Sequence, residues 1–257
     1  MSLSKKQGQI KKLLREGKTN QEIAKSVKES IGTINAYIAN LTRNKEAKAM
    51  RKGGLLVLDC TDEITEGKSE GLYLQELTRI LNPLINVRVE PIDDREAFSS
   101  NLDRSTEALI HISAHGKDYL SKHNQAGVKG TIIGFPDYSF VTANEIKQVL
   151  LKKEVIEKPK LIFMSACESG SFEMARAINE GGCKYFIGPM EKTYWFDAAV
   201  FINLFYRLFL IEQSTMWISF KRTDNALKKL LHKYSGYWNY FESGKLCFSS
   251  ENQKLKT

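Results

Sequence analysis

Alternating strand-like and helix-like blocks fill most of the chain after residue 53. Most of the strand-like blocks are short and apolar, as in strands that are buried on both faces of a parallel sheet. The predicted strands are 54–59, 85–89, 108–113, 161–164 and 184–188. The predicted helices between them are 72–81, 95–102, 143–153 and 171–179. Strands that alternate with helices predict an α/β sandwich with a mostly parallel sheet.

The pattern changes toward the carboxyl end. Two long helical patterns occupy 195–212 and 214–233, and aromatic stretches at 237–241 and 245–248 predict a last strand or hairpin. Residues 130–135 predict part of another hairpin, inserted after the third strand. Thr142 with Glu145 three residues on predicts a capping box at the start of one helix.

The first fifty residues predict three short helices. They are 4–16, 20–28 and a third that Ser30 would cap, with Thr19 and Glu22 forming a capping box for the second. Three short helices with a tight turn before the last are typical of a helix-turn-helix. The sequence thus predicts a small all-α helix-turn-helix domain at 1–48 and an α/β domain at 49–257, with 44–53 as the linker.

Charge is distributed unevenly along the chain. Residues 1–52 hold 13 Lys/Arg against 4 Asp/Glu and carry +9, whereas the rest of the chain carries −1 and the whole carries +8. A basic segment of this kind favours an anionic partner. A solvated basic arm that keeps the protein in solution is the alternative.

Residues 17–41 resemble the helix-turn-helix of bacterial response-regulator and sigma-factor-like domains, through the run Gly-Lys-Thr-Asn-Gln-Glu-Ile-Ala and the apolar spacing of the third helix. The resemblance implies that this helix enters the DNA major groove. Thr33 and Asn35 would then reach base edges, and Lys28 and Arg43 would contact phosphates. RNA binding and docking of a protein partner are the alternatives.

A histidine and a cysteine follow two of the predicted strands. Strand 108–113 runs into Ala-His115-Gly, and strand 161–164 runs into Ser-Ala-Cys167. Parallel strands end at the same edge of a sheet, where open α/β folds bind ligands. His115 and Cys167 are therefore candidates for a general base and a nucleophile. The alternative is a structural thiol and a hydrogen-bonded loop histidine.

These two motifs, about fifty residues apart, resemble those of the caspase-like cysteine peptidases. The CHAT branch of that clan is similar over most of 49–257, through the glycine turn at 181–183, the strand end at 186–189 and the motif Phe-x-x-x-Phe-Tyr at 201–206. This implies a caspase-like three-layer α/β/α sandwich and endopeptidase activity. The turn after Cys167 is also similar to that of legumain, although Ser165 stands where legumain has an acid.

Further roles follow from that resemblance. The backbone N–H of Gly116, with that of Cys167, would hold the oxyanion. Asp59, Asp62 and Asp197 would line the substrate pocket and favour a substrate Lys or Arg. The resemblance also implies a protein or peptide substrate and a role in prokaryotic defence or regulation, with an activating or inhibiting protein partner.

Other classes of function have little support in the sequence. The first strand is not followed by a glycine-rich phosphate loop, and the four cysteines lack metal-ligand spacing, so neither a cofactor nor a metal is expected. The sequence has no recognisable signal peptide or membrane span, which favours a cytoplasmic location. A DNA-binding regulator or interaction protein with a non-catalytic caspase-like domain remains the alternative to an enzyme.

Overall fold

The computed structural model describes residues 3–61, 69–116, 130–230 and 237–249. The chain divides into two compact units, Met1–Lys48 and Ala49–Thr257. In the described residues, none of the helices is both long and apolar enough to cross a membrane.

The first unit contains helices α1 (Leu3–Arg15) and α2 (Asn20–Val27) and most of α3 (Ile31–Lys52). Its core is formed by small and branched apolar side chains from all three helices, namely Ile10, Ile23, Ala24, Val27 and Ile34. The predicted capping box is confirmed, since Thr19 and Glu22 each accept a hydrogen bond from the other's backbone. Lys28 ends α2 in the left-handed conformation and makes the turn before α3 tight.

The predicted linker is part of a helix. Residues 44–52 form the last turns of α3, which continues to Lys52 before Gly53 and Gly54 break it. The segment is rich in Lys, Arg and Ala, which are good helix formers. A composition that suits an exposed linker thus suits an exposed helix equally well.

The second unit is built on one seven-stranded sheet in the order β2-β1-β3-β6-β7-β8-β9. The first five strands in this order pair parallel, and β8 and β9 add an antiparallel edge. The sheet strands are β1 (Leu55–Cys60), β2 (Val87–Pro91), β3 (Leu109–Ala114), β6 (Leu161–Met164), β7 (Tyr185–Pro189), β8 (Trp238–Glu242) and β9 (Lys245–Ser249). A separate hairpin consists of β4 (Ile132–Gly134) and β5 (Phe140–Thr142). The predicted α/β fold with a mostly parallel sheet is confirmed.

Helices cover both faces of the sheet. On one face lie α5 (Arg95–Arg104), α6 (Ala143–Lys152) and α7 (Phe172–Glu180), whose apolar side chains share a core with alternate residues of β1, β3 and β6. On the other face lie α4 (Glu70–Leu81), α8 (Trp195–Tyr206) and α9 (Met216–Leu230). There the ring of Phe163 lies 5.2–6.2 Å from four aromatic rings, those of Phe201, Phe205, Tyr206 and Trp238.

Candidate active site and nucleic-acid interface

The ends of β3 and β6 bring the predicted catalytic residues to one edge of the sheet. The two strands pair parallel, with Ile112 opposite Met164, and the backbone N–H of Ser165 donates to the carbonyl of Ile112 at 2.9 Å. His115 directly follows β3, and Cys167 lies three residues beyond the end of β6.

Gly116 packs directly against the cysteine. A β carbon at Gly116 would lie 2.3 Å from the carbonyl oxygen of Cys167 and 2.8 Å from its β carbon. Only glycine fits at this distance, because the nearest obstacle is backbone that cannot turn away. The His115 carbonyl accepts a hydrogen bond of 2.9 Å from Gly134, and its imidazole Nε2 is buried. The histidine segment is thereby held between the β4 hairpin and the cysteine turn.

The thiol of Cys167 has a backbone partner that sequence reasoning missed. Its half-buried sulfur accepts from the N–H of Thr193 at 3.4 Å and can donate to the Thr193 carbonyl at 3.6 Å. An N–H donor stabilises a thiolate more than a thiol. Thr193 carries no motif that could have revealed this role, because the contact is made by backbone.

The turn after Cys167 is tightly constrained. Glu168 has φ of 61°, a left-handed conformation that is strained for a residue with a side chain. A β carbon at Gly170 would lie 2.2 Å from the Gly188 carbonyl oxygen, and Asn239 donates from Nδ2 to the Gly170 carbonyl at 3.0 Å. The cysteine is thus presented by a turn that strands β7 and β8 hold in place.

The other three cysteines have different surroundings. Cys60 and Cys183 belong to the apolar core, and burial raises the pKa of the Cys183 thiol to about 12. Cys247 is exposed. It lies on the edge strand β9, where its side chain points to solvent. Cys167 combines partial access with a backbone donor to its sulfur.

The three predicted pocket acids are in different situations. Asp59 is fully buried, and its carboxylate accepts hydrogen bonds from the hydroxyls of Thr61, at 2.7 Å, and of Ser69. Asp197 is 8% exposed in the first turn of α8, four residues after Thr193. Asp62 lies outside the described residues. Of Asp59 and Asp197, Asp197 is the one that lies near Thr193 in the sequence, and the backbone of Thr193 contacts the Cys167 sulfur.

The predicted DNA-contacting residues lie on exposed surface of the first unit. Lys28, Thr33, Asn35 and Arg43 are all exposed. The amide of Asn35 accepts from Asn20 Nδ2 at 2.8 Å, and the Thr33 hydroxyl lies 2.8 Å from that of Ser30, the cap of α3. Thr33 and Asn35 flank the buried Ile34 in α3, and each is hydrogen-bonded to a neighbouring side chain.

Residues 1–48 match the model of the GerE family, described as bacterial regulatory proteins of the luxR family. They form a helix-turn-helix. The match covers α1, α2 and most of α3, and leaves residues 49–257 outside it. No curated protein matches the chain. The likeness of the second unit to caspase-like peptidases therefore stays a prediction.

Proposed function

We propose that this protein binds DNA through its helix-turn-helix and hydrolyses peptide bonds at His115 and Cys167. The match to luxR-type regulatory proteins supports the first activity. In such units the second helix of the motif lies in the major groove, with residues of its first turns near base edges. In this chain Thr33 and Asn35 occupy that place, and Lys28 and Arg43 would contact phosphates.

One observation carries the peptidase proposal, namely the contact of Gly116 with the backbone of Cys167. The contact brings the residue that follows the candidate base against the candidate nucleophile, so the two motifs lie side by side at the edge of the sheet. The caspase-like resemblance of both motifs points the same way.

The proposed reaction proceeds in two halves. His115 accepts the thiol proton as the sulfur of Cys167 attacks the peptide carbonyl, and the backbone N–H of Gly116 donates to the oxyanion. The C–N bond then breaks, and the imidazolium gives its proton to the leaving amine. In the second half His115 takes a proton from water as the water oxygen attacks the thioester carbonyl, the C–S bond breaks and releases the carboxylic acid, and the imidazolium returns its proton to the sulfur.

The substrate on this proposal is a protein or peptide, and Asp197 favours Lys or Arg before the scissile bond. We place the protein in the bacterial cytoplasm, in a defence or regulatory role, where DNA or a protein partner controls the peptidase. A DNA-binding regulator with a non-catalytic second unit is the competing function. It is supported by the match of residues 1–48 to bacterial regulatory proteins.

Peptidyl chloromethyl ketones ending in Lys, Asp or Leu test the peptidase proposal, since they alkylate a cysteine that a neighbouring base activates. We expect at least one to label Cys167, identified by peptide mass spectrometry, and His115→Ala to slow that labelling at least tenfold. Cys247 serves as the internal control and should react equally in both proteins. If His115→Ala does not change the labelling of Cys167, the peptidase proposal is rejected and the competing function, a DNA-binding regulator with a non-catalytic second unit, is retained.

A further inference from the structure

A buried chain of polar side chains lies beside the cysteine turn, on the face of the sheet that α4 and α8 cover. Glu70 Oε2 accepts a hydrogen bond from the Ser165 hydroxyl at 2.7 Å and lies 3.3 Å from His111 Nε2. The Tyr206 hydroxyl lies 3.5 Å from His111 Nδ1. Glu70, His111 and Tyr206 are 3%, 0% and 1% exposed.

Burial keeps the Tyr206 phenol protonated, and the hydrogen bond from Tyr206 then indicates which nitrogen of His111 carries the proton. Burial raises the pKa of the Tyr206 phenol well above its ordinary value, and the neighbouring Glu70 raises it further. Tyr206 is therefore a neutral hydroxyl that can donate to His111 Nδ1. An imidazole that accepts at Nδ1 carries its proton on Nε2, which faces Glu70. Glu70 thus receives one hydrogen bond from His111 and one from Ser165.

Burying these polar groups costs free energy that apolar packing would not cost, so they are expected to have a role that apolar side chains could not fill. A buried carboxylate is unfavourable without partners, and replacing such a group by apolar side chains is often neutral or stabilising. The chain joins Glu70 of α4 to Ser165 of the cysteine turn, His111 of β3 and Tyr206 of α8. A connection of this type fixes relative positions because hydrogen bonds are directional, whereas apolar contacts tolerate sliding.

The element that Glu70 fixes is the start of the turn that carries Cys167. Ser165 lies two residues before the cysteine, and its hydroxyl is the point at which α4 holds the turn. Glu70 is itself anchored as the first residue of α4, where the Ser69 hydroxyl caps the helix and also binds Asp59.

We propose that Glu70 is a positioning residue that, through Ser165, holds the Cys167 sulfur against the Thr193 N–H. The inference rests on the proposed role of Cys167 as a nucleophile. The buried His111 of β3 also contacts the Glu70 carboxylate and supports its position. If the Ser165 bond is lost, the turn loosens, the sulfur leaves its N–H donor, and Cys167 is alkylated more slowly because that donor no longer stabilises negative charge developing on the sulfur.

Alkylation by iodoacetamide measures this effect without a substrate. The readout is the rate constant at Cys167 divided by that at the exposed Cys247 in the same molecule, from peptide mass spectrometry near pH 7. Glu70→Gln and Ser165→Ala should each lower this ratio about tenfold, the equivalent of one charge-assisted hydrogen bond. Ser165→Thr keeps the hydroxyl and should keep the ratio. Thr78→Ala, a buried change on the same helix outside the polar chain, is the control for lost stability.

A double-mutant cycle decides whether Glu70 acts through Ser165. The double variant should be no slower than either single one, because both remove the same link. Unchanged ratios in the single variants, losses that multiply in the double variant, or an equal loss in Thr78→Ala would each overturn the proposal. If Glu70→Gln does not fold, Ser165→Ala compared with Ser165→Thr still decides it.

The proposed function and the positioning role can fail separately. A coupled loss of the alkylation ratio, in a protein whose Cys167 labelling does not depend on His115, would retain the positioning role and reject the peptidase. If the labelling of Cys167 depends on His115 but the alkylation ratio does not change in the Glu70 and Ser165 variants, the peptidase proposal is retained and the positioning role is rejected.

Discussion

At the scale of single residues, the candidate site depends on backbone proximity. Gly116 allows the histidine segment to touch Cys167, and Gly170 allows the following turn to touch β7. At both glycines a β carbon would lie closer to its neighbours than real β carbons do, and the nearest neighbour in each case is a backbone carbonyl oxygen. The site therefore requires glycine at these two positions as much as it requires the imidazole and the thiol.

Gly116→Ala tests this directly. The new methyl group would meet the Cys167 carbonyl at 2.3 Å, so the turn must move. We expect the free energy of unfolding in urea to fall by about 1–3 kcal/mol, as for other overpacked sites, and the labelling of Cys167 by chloromethyl ketones to be lost. Gly8→Ala is the matched control, because nothing lies within 4 Å of its position in α1. A tolerated Gly116→Ala with full labelling would contradict the packing described for the site.

Buried carboxyl groups make a second prediction at this scale. Burial raises the pKa of Asp224 above its ordinary 3.8, although its bond to Lys228 acts in the opposite direction. The folded protein then holds this proton to higher pH than the unfolded chain, so the contribution to the free energy of unfolding falls as pH rises from about 4. Asp224→Asn should therefore gain stability relative to the wild type between about pH 4 and about pH 7.

Glu145 should behave in the opposite sense. Burial opposes ionisation, but hydrogen bonds from the Thr142 backbone and hydroxyl lower the net pKa of this carboxyl. Its stabilisation is present above the unfolded pKa and is lost as pH falls. Glu145→Gln should lose stability relative to the wild type over the same interval, measured by urea unfolding at both pH values. Parallel changes in the two variants would contradict the assignment of signs.

At the scale of elements, α3 has two different faces. Ile34 faces the core of the first unit, whereas Asn35 lies on exposed surface. Asn44 is nine residues after Asn35, which at about 100° per residue places it on the opposite side of the helix. It lies in a groove that Lys11 and Leu14 of α1 also line. Asn35 and Asn44 therefore offer a matched test and control, because they are the same residue type on opposite sides of one helix.

Asn35→Ala should weaken binding to a preferred DNA sequence by about five- to a hundred-fold, the range for one lost base contact, and leave binding to unrelated DNA unchanged. Asn44→Ala should leave both unchanged. Fluorescence anisotropy with a duplex selected from a random pool gives both affinities. Equal losses in the two variants would place the DNA-contacting surface elsewhere.

The sequence predicted which helices and strands form more accurately than it predicted the residues at which they begin and end. Continuous apolar runs located β1, β3, β6 and β7, because strands buried on both faces carry this pattern. Strand β2 is displaced to Val87–Pro91 because its pairing with β1 fixes its ends, and α4 begins at Glu70 because Ser69 caps it. The predicted helix 195–212 changes after Tyr206 to a π-helical turn, Arg207–Ile211. Such ends depend on partners distant in sequence.

The same limit applies to the candidate site. Strand ends could be read from the chain, and with them the common edge of His115 and Cys167. The backbone contact of Thr193 and the link from Glu70 to Ser165 could not, because both join residues at least 26 positions apart. The linker was misassigned because a basic, alanine-containing segment suits both exposed coil and exposed helix.

At the scale of the whole molecule, the chain joins a basic amino-terminal segment to a nearly neutral remainder. Residues 1–52 carry +9 and the rest carries −1. DNA affinity should therefore fall steeply with salt, because each phosphate contact releases counterions. This dependence should reside in the helix-turn-helix.

Removing Lys28 and Arg43 together should flatten the plot of log affinity against log salt concentration by about two units, since each phosphate contact contributes about 0.9. Lys152→Ala with Lys245→Ala removes the same charge from exposed sites of the second unit and should leave the slope unchanged. Anisotropy titrations at four or more salt concentrations measure it. An equal flattening by both pairs would show a general effect of net charge.

The central claim is that His115 and Cys167 form one hydrolytic centre. Its most direct measurement is the set of new peptide amino termini, found by mass spectrometry after a bacterial lysate is incubated with the protein, with and without bound DNA. We expect termini that appear with the wild type and with Cys247→Ala, and that are absent with Cys167→Ala and with His115→Ala. Identical sets of termini from all four proteins, in both the presence and the absence of DNA, would contradict it.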